Sequence, residues 1–422
     1  MNIILKSAKI VAPENKDLHL KKRDIHIKNG TIEKIAPKIE PNKTVKTLDF
    51  ENLHVSIGWF DSSVCFGEPG FEERETIAHG LEVAAQSGFT DIILNTNTQP
   101  SPDTSSAIVF LLKRANGSST NLYPLGNLTV KGEGKYLAEL FDMHNAGAIA
   151  FYDFKKQICN ANLLKIALLY AQNFDTLIFS FPQDVQIKGK GMVNEGEVST
   201  RLGLKGVPAL AEELQIARDL AVLEYTGGRL HIPTISTAKS VKLIAGAKKK
   251  GLNVSCSVAI HNLLFNDTLL ETFDTNAKVM PPLRTKTDAN ALVKGVKNNT
   301  IDFVTTDHTP IDIEEKRLEF DHAEYGTLGL ETAFGSFRRL FDLEETIVLL
   351  TKGRERFGLG QPHIAEGQPA CLTLFNPSAQ HTFSKENIQS TSKNSLFLGE
   401  PLIGQVYGTI NNGQLTRAEA YD

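Results

Sequence analysis

The sequence predicts an α/β fold: a (β/α)8 TIM barrel with a small β-sandwich domain formed by the N- and C-terminal segments. Two observations predict it. Eight short apolar runs alternate with helical patterns through the middle of the chain, and β-like texture rich in turn residues brackets them at both ends. With 422 residues, 41% of them hydrophobic and 22% charged, the chain can bury one large core and a smaller companion.

The N-terminal segment, residues 1–52, alternates apolar runs with turns. In Ile25-His26-Ile27-Lys28-Asn29-Gly30-Thr31-Ile32 the Asn-Gly pair marks a hairpin, because both residues accept positive φ. The same texture returns in residues 365–422, in Ala370-Cys371-Leu372-Thr373-Leu374-Phe375 and again around Tyr407. These two segments are expected to form the sandwich together.

Residues 53–364 are expected to form the barrel. Strand-like runs begin near His54, Thr90, Asn121, Ala148, Asp175, Arg229, Asn253 and Ile301, and most intervals have room for a crossover helix. One interval is well marked. Pro208 sits at a helix start, Leu210, Leu214, Ala217 and Ala221 recur on one face, and Gly227-Gly228 ends the pattern before Leu230-His231-Ile232.

Composition excludes several classes of function. A net charge of −4 gives no reason to expect nucleic acid or an anionic membrane, and Lys248-Lys249-Lys250 reads as a solvated helix end. No apolar stretch of ~18 or more residues is present and the first residues lack a signal pattern, so a cytoplasmic location is expected. Cys65, Cys159, Cys256 and Cys371 lack the spacing of a disulfide framework or a zinc ribbon.

In a barrel of this kind chemistry sits at the C-terminal strand ends. The first run ends in Asp61-Ser62-Ser63-Val64-Cys65-Phe66-Gly67-Glu68-Pro69-Gly70, the second in Asn95-Thr96-Asn97-Thr98, and the fourth in Tyr152-Asp153-Phe154-Lys155. The fifth ends in Phe179-Ser180-Phe181-Pro182, the sixth passes through His231 to Thr234, and the eighth closes with Thr306-Asp307-His308-Thr309-Pro310-Ile311. Together with the Asn194–Leu204 run, Val279-Met280-Pro281-Pro282-Leu283-Arg284 and Gly326-Thr327-Leu328-Gly329-Leu330-Glu331-Thr332, these segments resemble the dihydroorotases of the amidohydrolase superfamily. The resemblance runs in order along essentially the whole chain.

That resemblance implies a divalent metal, commonly zinc, whose bound water acquires a pKa of ~7. The family holds it with a His-x-His pair, a bridging acid or carboxylated Lys, two later histidines and an aspartate. The matching positions here are Ser63 and Cys65, Asp153 or Lys155, Ser180, Thr234 and Asp307. All four histidines are absent. The arginine that would clamp a substrate carboxylate falls at Gly67, a second carboxylate contact falls at Ile311, and an asparagine contact at Met280. Asn97 alone is retained as a substrate contact.

The expected outcome is a degenerate, non-catalytic homologue of pyrimidine biosynthesis. No cofactor is expected beyond a residual weak metal site, and Asp307 and Asn97 are read as vestigial. Silent homologues of the family accompany aspartate transcarbamoylase, so the resemblance implies that partner and an oligomeric state. The alternative is an active cyclic-amide hydrolase with an unusual or mononuclear site, drawing on Cys65, Asp153, His231, Asp307 and His308. Against it, strand alternation turns His231 away from Thr234 and toward a helix, and turns His308 away from Asp307. Cys65 reads as a small buried thiol and not a nucleophile, His261 reads as structural, and a ligand sensor built on the emptied pocket is a third possibility.

Overall fold

The computed structural model describes residues 1–42 and 45–418. At its centre are eight strands. Trp59–Val64, Phe89–Leu94 and Asn121–Pro124 form one parallel sheet. Ala150–Phe151, Leu177–Phe179, Leu230–Ile232, Val254–Ala259 and Phe303–Thr305 form a second, also parallel. Isolated parallel bridges, Gly126 with Phe151 and Val64 with His308, join strand ends of one sheet to those of the other.

These runs are strands because both of their faces are covered, which selects near-continuous apolar sequence. Phe-Thr-Asp-Ile-Ile-Leu at 89–94 is buried at every position. Alternate residues take opposite sides. Ile92, Leu94, Ile178, Ile232 and Val304 pack with the helix residues Leu81, Leu111, Leu164, Ile216 and Leu292. Phe60, Ile93, Leu125, Tyr152, Phe179 and Phe303 form a separate cluster of their own. Helices are delimited by side-chain caps: Thr76 accepts from the His79 amide ahead of Ile77–Gln86, and Thr237 accepts from the Ser240 amide ahead of Ala238–Lys249.

Two local readings are corrected. His231 does not pack against a helix. Its ring stacks on Phe303 at 5.0 Å, lies 4.5 Å from Phe179, and meets the hydroxyls of Ser255 and Ser257 at 2.9 and 3.2 Å. Leu230 and Ile232, on the other strand face, take the helix-facing places.

The helix Ala209–Thr226 also presents the opposite face from the one read. Leu210, Leu214, Ala217 and Ala221 are exposed, while Ala211, Glu212, Gln215, Ile216, Asp219, Leu220 and Leu223 are buried. The reason is electrostatic. Glu212 accepts from the Ser236 and Thr237 amides and from the Ser240 hydroxyl, and Asp219 accepts from Ser180, Gln215 and Arg218. Hydrogen bonds to two carboxylates therefore overrode the apolar pattern.

The termini meet in one eight-stranded sheet with its own apolar cluster. His54–Ile57, read as the opening of the first barrel strand, belongs to this sheet. It pairs parallel with Asn2–Ile10 and antiparallel with Leu372–Thr382, and the parallel set begins only at Trp59. Among the described residues no helix is long and apolar enough to cross a membrane.

Candidate functional site

Midway along the first parallel strand, Asp61 is buried and organises the approach to the site. It accepts from the amides of Ser63 and Thr306, each at 3.0 Å, and from the Thr305 hydroxyl, which ties the first strand to the eighth. Burial raises its pKa, and these donors oppose the shift. Beyond Asp61, the Ser63 hydroxyl donates to Asp307 Oδ1 at 3.1 Å. Asn95, at the end of the second strand, donates to Ser63 Oγ at 3.0 Å and reaches Cys65 Sγ at 3.5 Å.

The other oxygen of Asp307 is taken by Lys155. Its ammonium donates to Oδ2 at 2.8 Å, with the lysine side chain 14% exposed and the aspartate 3% exposed. Lys155 is steered there by its own backbone, whose amide donates to the Tyr152 hydroxyl at 3.0 Å, and its ammonium stands 5.1 Å from the Phe154 ring centroid. Burial pushes the Asp307 carboxyl upward, while the Lys155 charge and the Ser63 hydroxyl pull it back. Burial pushes the Cys65 thiol up to about 12, so at neutral pH it is an S–H and not a thiolate.

Of the remaining matched positions, Asp153 and Ser180 are engaged elsewhere and the Thr234 hydroxyl is unpartnered. Asp153 accepts from the Thr129 amide at 3.1 Å and from the Thr129 hydroxyl at 2.5 Å, and burial raises its pKa. Ser180 donates to Asp219 at 2.6 Å. Thr234 holds a left-handed backbone, φ 46°, and its buried hydroxyl has no partner. Among the described residues, no group of three or more His, Cys, Asp or Glu side chains is placed to hold a metal ion.

The positions matched to substrate contacts also make contacts within the fold, and the buried Asn97 Oδ1 is left without a partner. Asn97 donates to the Phe66 carbonyl at 3.2 Å. The Met280 sulfur accepts from Gln183 at 3.1 Å, within the cluster that also holds Phe179. The Ile311 amide donates to Asn394. At Gly67 a Cβ would lie 1.7 Å from the Phe71 carbonyl oxygen, so no side chain fits there on this backbone.

His308 turns from Asp307, as its neighbouring position on the chain requires, and its Nδ1 accepts from the Gly329 and Leu330 amides at 3.2 and 3.3 Å. His261 is buried with neither ring nitrogen partnered, and burial pushes its pKa down to about 3. Two motifs of the sequence prove to be a joint. Buried Arg284 donates to Asn194 Oδ1 at 3.1 Å, to the Val207 carbonyl at 2.6 Å and to Ser236 at 3.1 Å, and Asn194 donates to Asp267.

Comparison with known proteins places this geometry. A family model described as Dihydro-orotase-like matches residues 54–240. A dihydroorotase of Syntrophus aciditrophicus is 36% identical over 99% of this chain and 100% of that protein. The chain belongs to the dihydroorotase family. A dihydroorotase of Pelotomaculum thermopropionicum is 35% identical over 98% of each chain. Among solved structures, the L-hydantoinase of Arthrobacter aurescens aligns with a TM-score of 0.84 at 22% identity, covering 98% of this chain and 95% of that one, which shows a shared fold of the amidohydrolase type.

Within this member of the family, sequence reasoning missed Asn95, Asp219 and Thr129, the groups that bond Ser63, Ser180 and Asp153. Asp219 was hidden by a helix whose apolar periodicity pointed the wrong way. Asn95 carried a signal: it follows a fully buried strand, where a polar residue needs a partner.

Proposed function

We propose that this dihydroorotase-family chain is catalytically silent and serves pyrimidine biosynthesis as a structural partner of aspartate transcarbamoylase. The observation that carries the reading is the occupation of the matched ligand positions. Ser63 is spent on Asp307, Ser180 on Asp219, Asp153 on Thr129, and Asp307 on Lys155. Zinc requires imidazole, thiolate or carboxylate donors. Two serines and a threonine are not such donors, Asp153 is held by Thr129, Asp307 is already paired with an ammonium, and the Cys65 thiol alone does not make a site. No cofactor is therefore assigned. Gly67 supports the same reading on the substrate side, because the backbone there leaves no space for a carboxylate-binding arginine.

The partner role is supported by the face of Ala209–Thr226 turned to solvent. Leu210 is 50% exposed, Leu214 48% and Tyr225 81%, and the adjacent helix Ala161–Ala171 adds Ile166, Leu169 and Tyr170. Apolar side chains gathered on neighbouring helices fit a protein surface better than water. The two isolated bridges support reading the parallel sheets as one closed (β/α)8 barrel, with the terminal sheet as the small β-sandwich. A cytoplasmic location completes the proposal.

Two measurements test it. Protein purified without chelator is analysed for metal and assayed for dihydroorotate turnover with added zinc, manganese or cobalt. Neither stoichiometric metal nor turnover is expected, and both together would establish the hydrolase instead. The host's transcarbamoylase is expected to copurify with the chain and to change in activity on mixing. If it does neither, the partner role is lost.

A further inference from the structure

We infer that the Lys155 ammonium is the built-in cation of this site, holding the strand ends around Asp307 by a charge that belongs to the chain and not to a bound ion. This rests on the reading of the chain as catalytically silent and goes beyond it. That reading says what the site has lost, whereas this inference says what holds the site together.

The argument begins with Asp307. It is a carboxylate at the C-terminal end of the eighth strand, almost wholly buried. A buried carboxylate without a cation is costly, so a chain that retains the aspartate without a metal needs another positive charge or a neutral replacement for it. Lys155 supplies that charge from the end of the fourth strand, at 2.8 Å from Oδ2. Ser63 supplies a hydroxyl hydrogen to Oδ1 from the first strand, and Asn95, on the second, donates to the same hydroxyl oxygen. A donor on that oxygen leaves the serine proton free to point at Asp307. The ends of the first and fourth strands thus each donate to one oxygen of a carboxylate on the eighth, with the second strand bracing Ser63.

The backbone supports a dedicated arrangement. Lys155 and Asp307, the two charged partners, both have left-handed backbones, with φ of 52° and 51°. Outside glycine this conformation is uncommon and strained, and it persists where surrounding contacts hold it. Both ends of one ion pair carry it. The lysine is further fixed by the bond from its amide to the Tyr152 hydroxyl and by its place over Phe154. A lysine serving only as surface charge would need none of these. An ammonium on Asp307 also opposes a dication on the same carboxylate, since like charges repel strongly where water is excluded.

The test compares thermal unfolding of the wild-type chain with Lys155→Met, Lys155→Arg, Asp307→Asn and the double variant Lys155→Met/Asp307→Asn, each with and without added zinc chloride. Lys155→Met, which strands a buried carboxylate, is expected to lower Tm by about 5 °C or more. The double variant is expected to regain most of that loss, Lys155→Arg is expected to keep most of the wild-type Tm, and zinc is expected to leave wild type unmoved. If Lys155→Met does not yield soluble protein while the double variant does, the inference is likewise supported. A Lys155→Met variant that melts with wild type overturns it. So does a double variant no better than Lys155→Met, or a wild-type chain that takes up one equivalent of zinc. Turnover of dihydroorotate by wild type would defeat the silent reading whatever these melts show. Unchanged melting without turnover would defeat the lysine's role alone.

Discussion

The carbonyl oxygen of Phe71 occupies the place where a side chain on Gly67 would begin, 1.7 Å from the position of its Cβ. The contact belongs to a closed turn: the Phe71 amide donates to the Gly67 carbonyl at 2.9 Å, and the Gly67 amide donates to the Glu75 carbonyl at 2.8 Å. Glu75 is itself buried and accepts from the Thr391 amide and hydroxyl. On this backbone, position 67 therefore has no room for an arginine. Gly67→Arg is expected to cost about 3 kcal/mol of stability or more through overpacking and to confer no turnover. Urea denaturation and a dihydroorotate assay check both. A Gly67→Arg protein as stable as wild type would show that the turn yields, and that the missing arginine alone had removed the clamp.

Ser180 was matched by resemblance to a later family histidine, and its hydroxyl is part of a helix anchor. Asp219 receives it at 2.6 Å, together with the Gln215 amide and the Arg218 guanidinium. Burial raises the Asp219 pKa, so each donor counts toward keeping it ionised. Ser180→Ala is expected to cost about 2 kcal/mol, the range for a buried hydrogen bond to a charged acceptor. Ser180→His is expected to cost more and to bring no zinc with it, read by denaturation and metal analysis. A neutral Ser180→Ala would mean that Gln215 and Arg218 suffice.

The buried histidines make stability fall in mild acid. Burial holds His231 well below the ordinary imidazole pKa, with Arg356 and Lys248 adding to the effect, and His261 is pushed down to about 3. In the unfolded chain each takes a proton near pH 6.5. Below that pH the unfolded state binds protons that the folded state refuses, so stability drops as pH falls, by up to ~1.4 kcal/mol per pH unit for each such group. His231→Leu is expected to be less stable at pH 7, because it removes the imidazole that bonds the Ser255 and Ser257 hydroxyls and packs on two rings. Its stability is also expected to fall less steeply between pH 6 and 4, by one proton's share. Urea midpoints across that range decide it, and an unchanged slope would show that His231 takes up its proton in the folded state as it does in the unfolded one.

The fold was legible because buried parallel strands leave long apolar runs, and the strand positions from Phe89 onward follow them. His54–Ile57 was misassigned because a strand of the terminal sheet and a barrel strand look alike in sequence, and only pairing with Leu372–Thr382 tells them apart. At the site, the sequence offered a set of positions, Ser63, Cys65, Ser180 and Thr234, matched by resemblance to family histidines. The partners that hold these side chains were not legible. The bond from Lys155 to Asp307 joins residues 152 positions apart, and Asp153, two positions from Lys155, looked equally suited until Thr129 was seen to hold it. Ser180 and Asp219 are likewise coupled across a helix whose apolar face was read on the wrong side. Long-range hydrogen bonds to buried carboxylates leave no periodicity to read.

That same helix supplies the last expectation. Leu210, Leu214 and Tyr225 are exposed because the opposite face is committed to Glu212 and Asp219, so the apolar stripe contributes nothing to the core. Charges placed there are expected to leave the fold unharmed, within about 0.5 kcal/mol for surface substitutions. Burying such charges against a partner would instead be costly. A Leu214→Glu/Tyr225→Glu variant should therefore melt with wild type yet lose copurification with the transcarbamoylase by tenfold or more, measured by pull-down from the host and by activity on mixing. Retained association would place the partner's footprint on another face, and a lowered Tm would mean that the stripe serves the barrel itself.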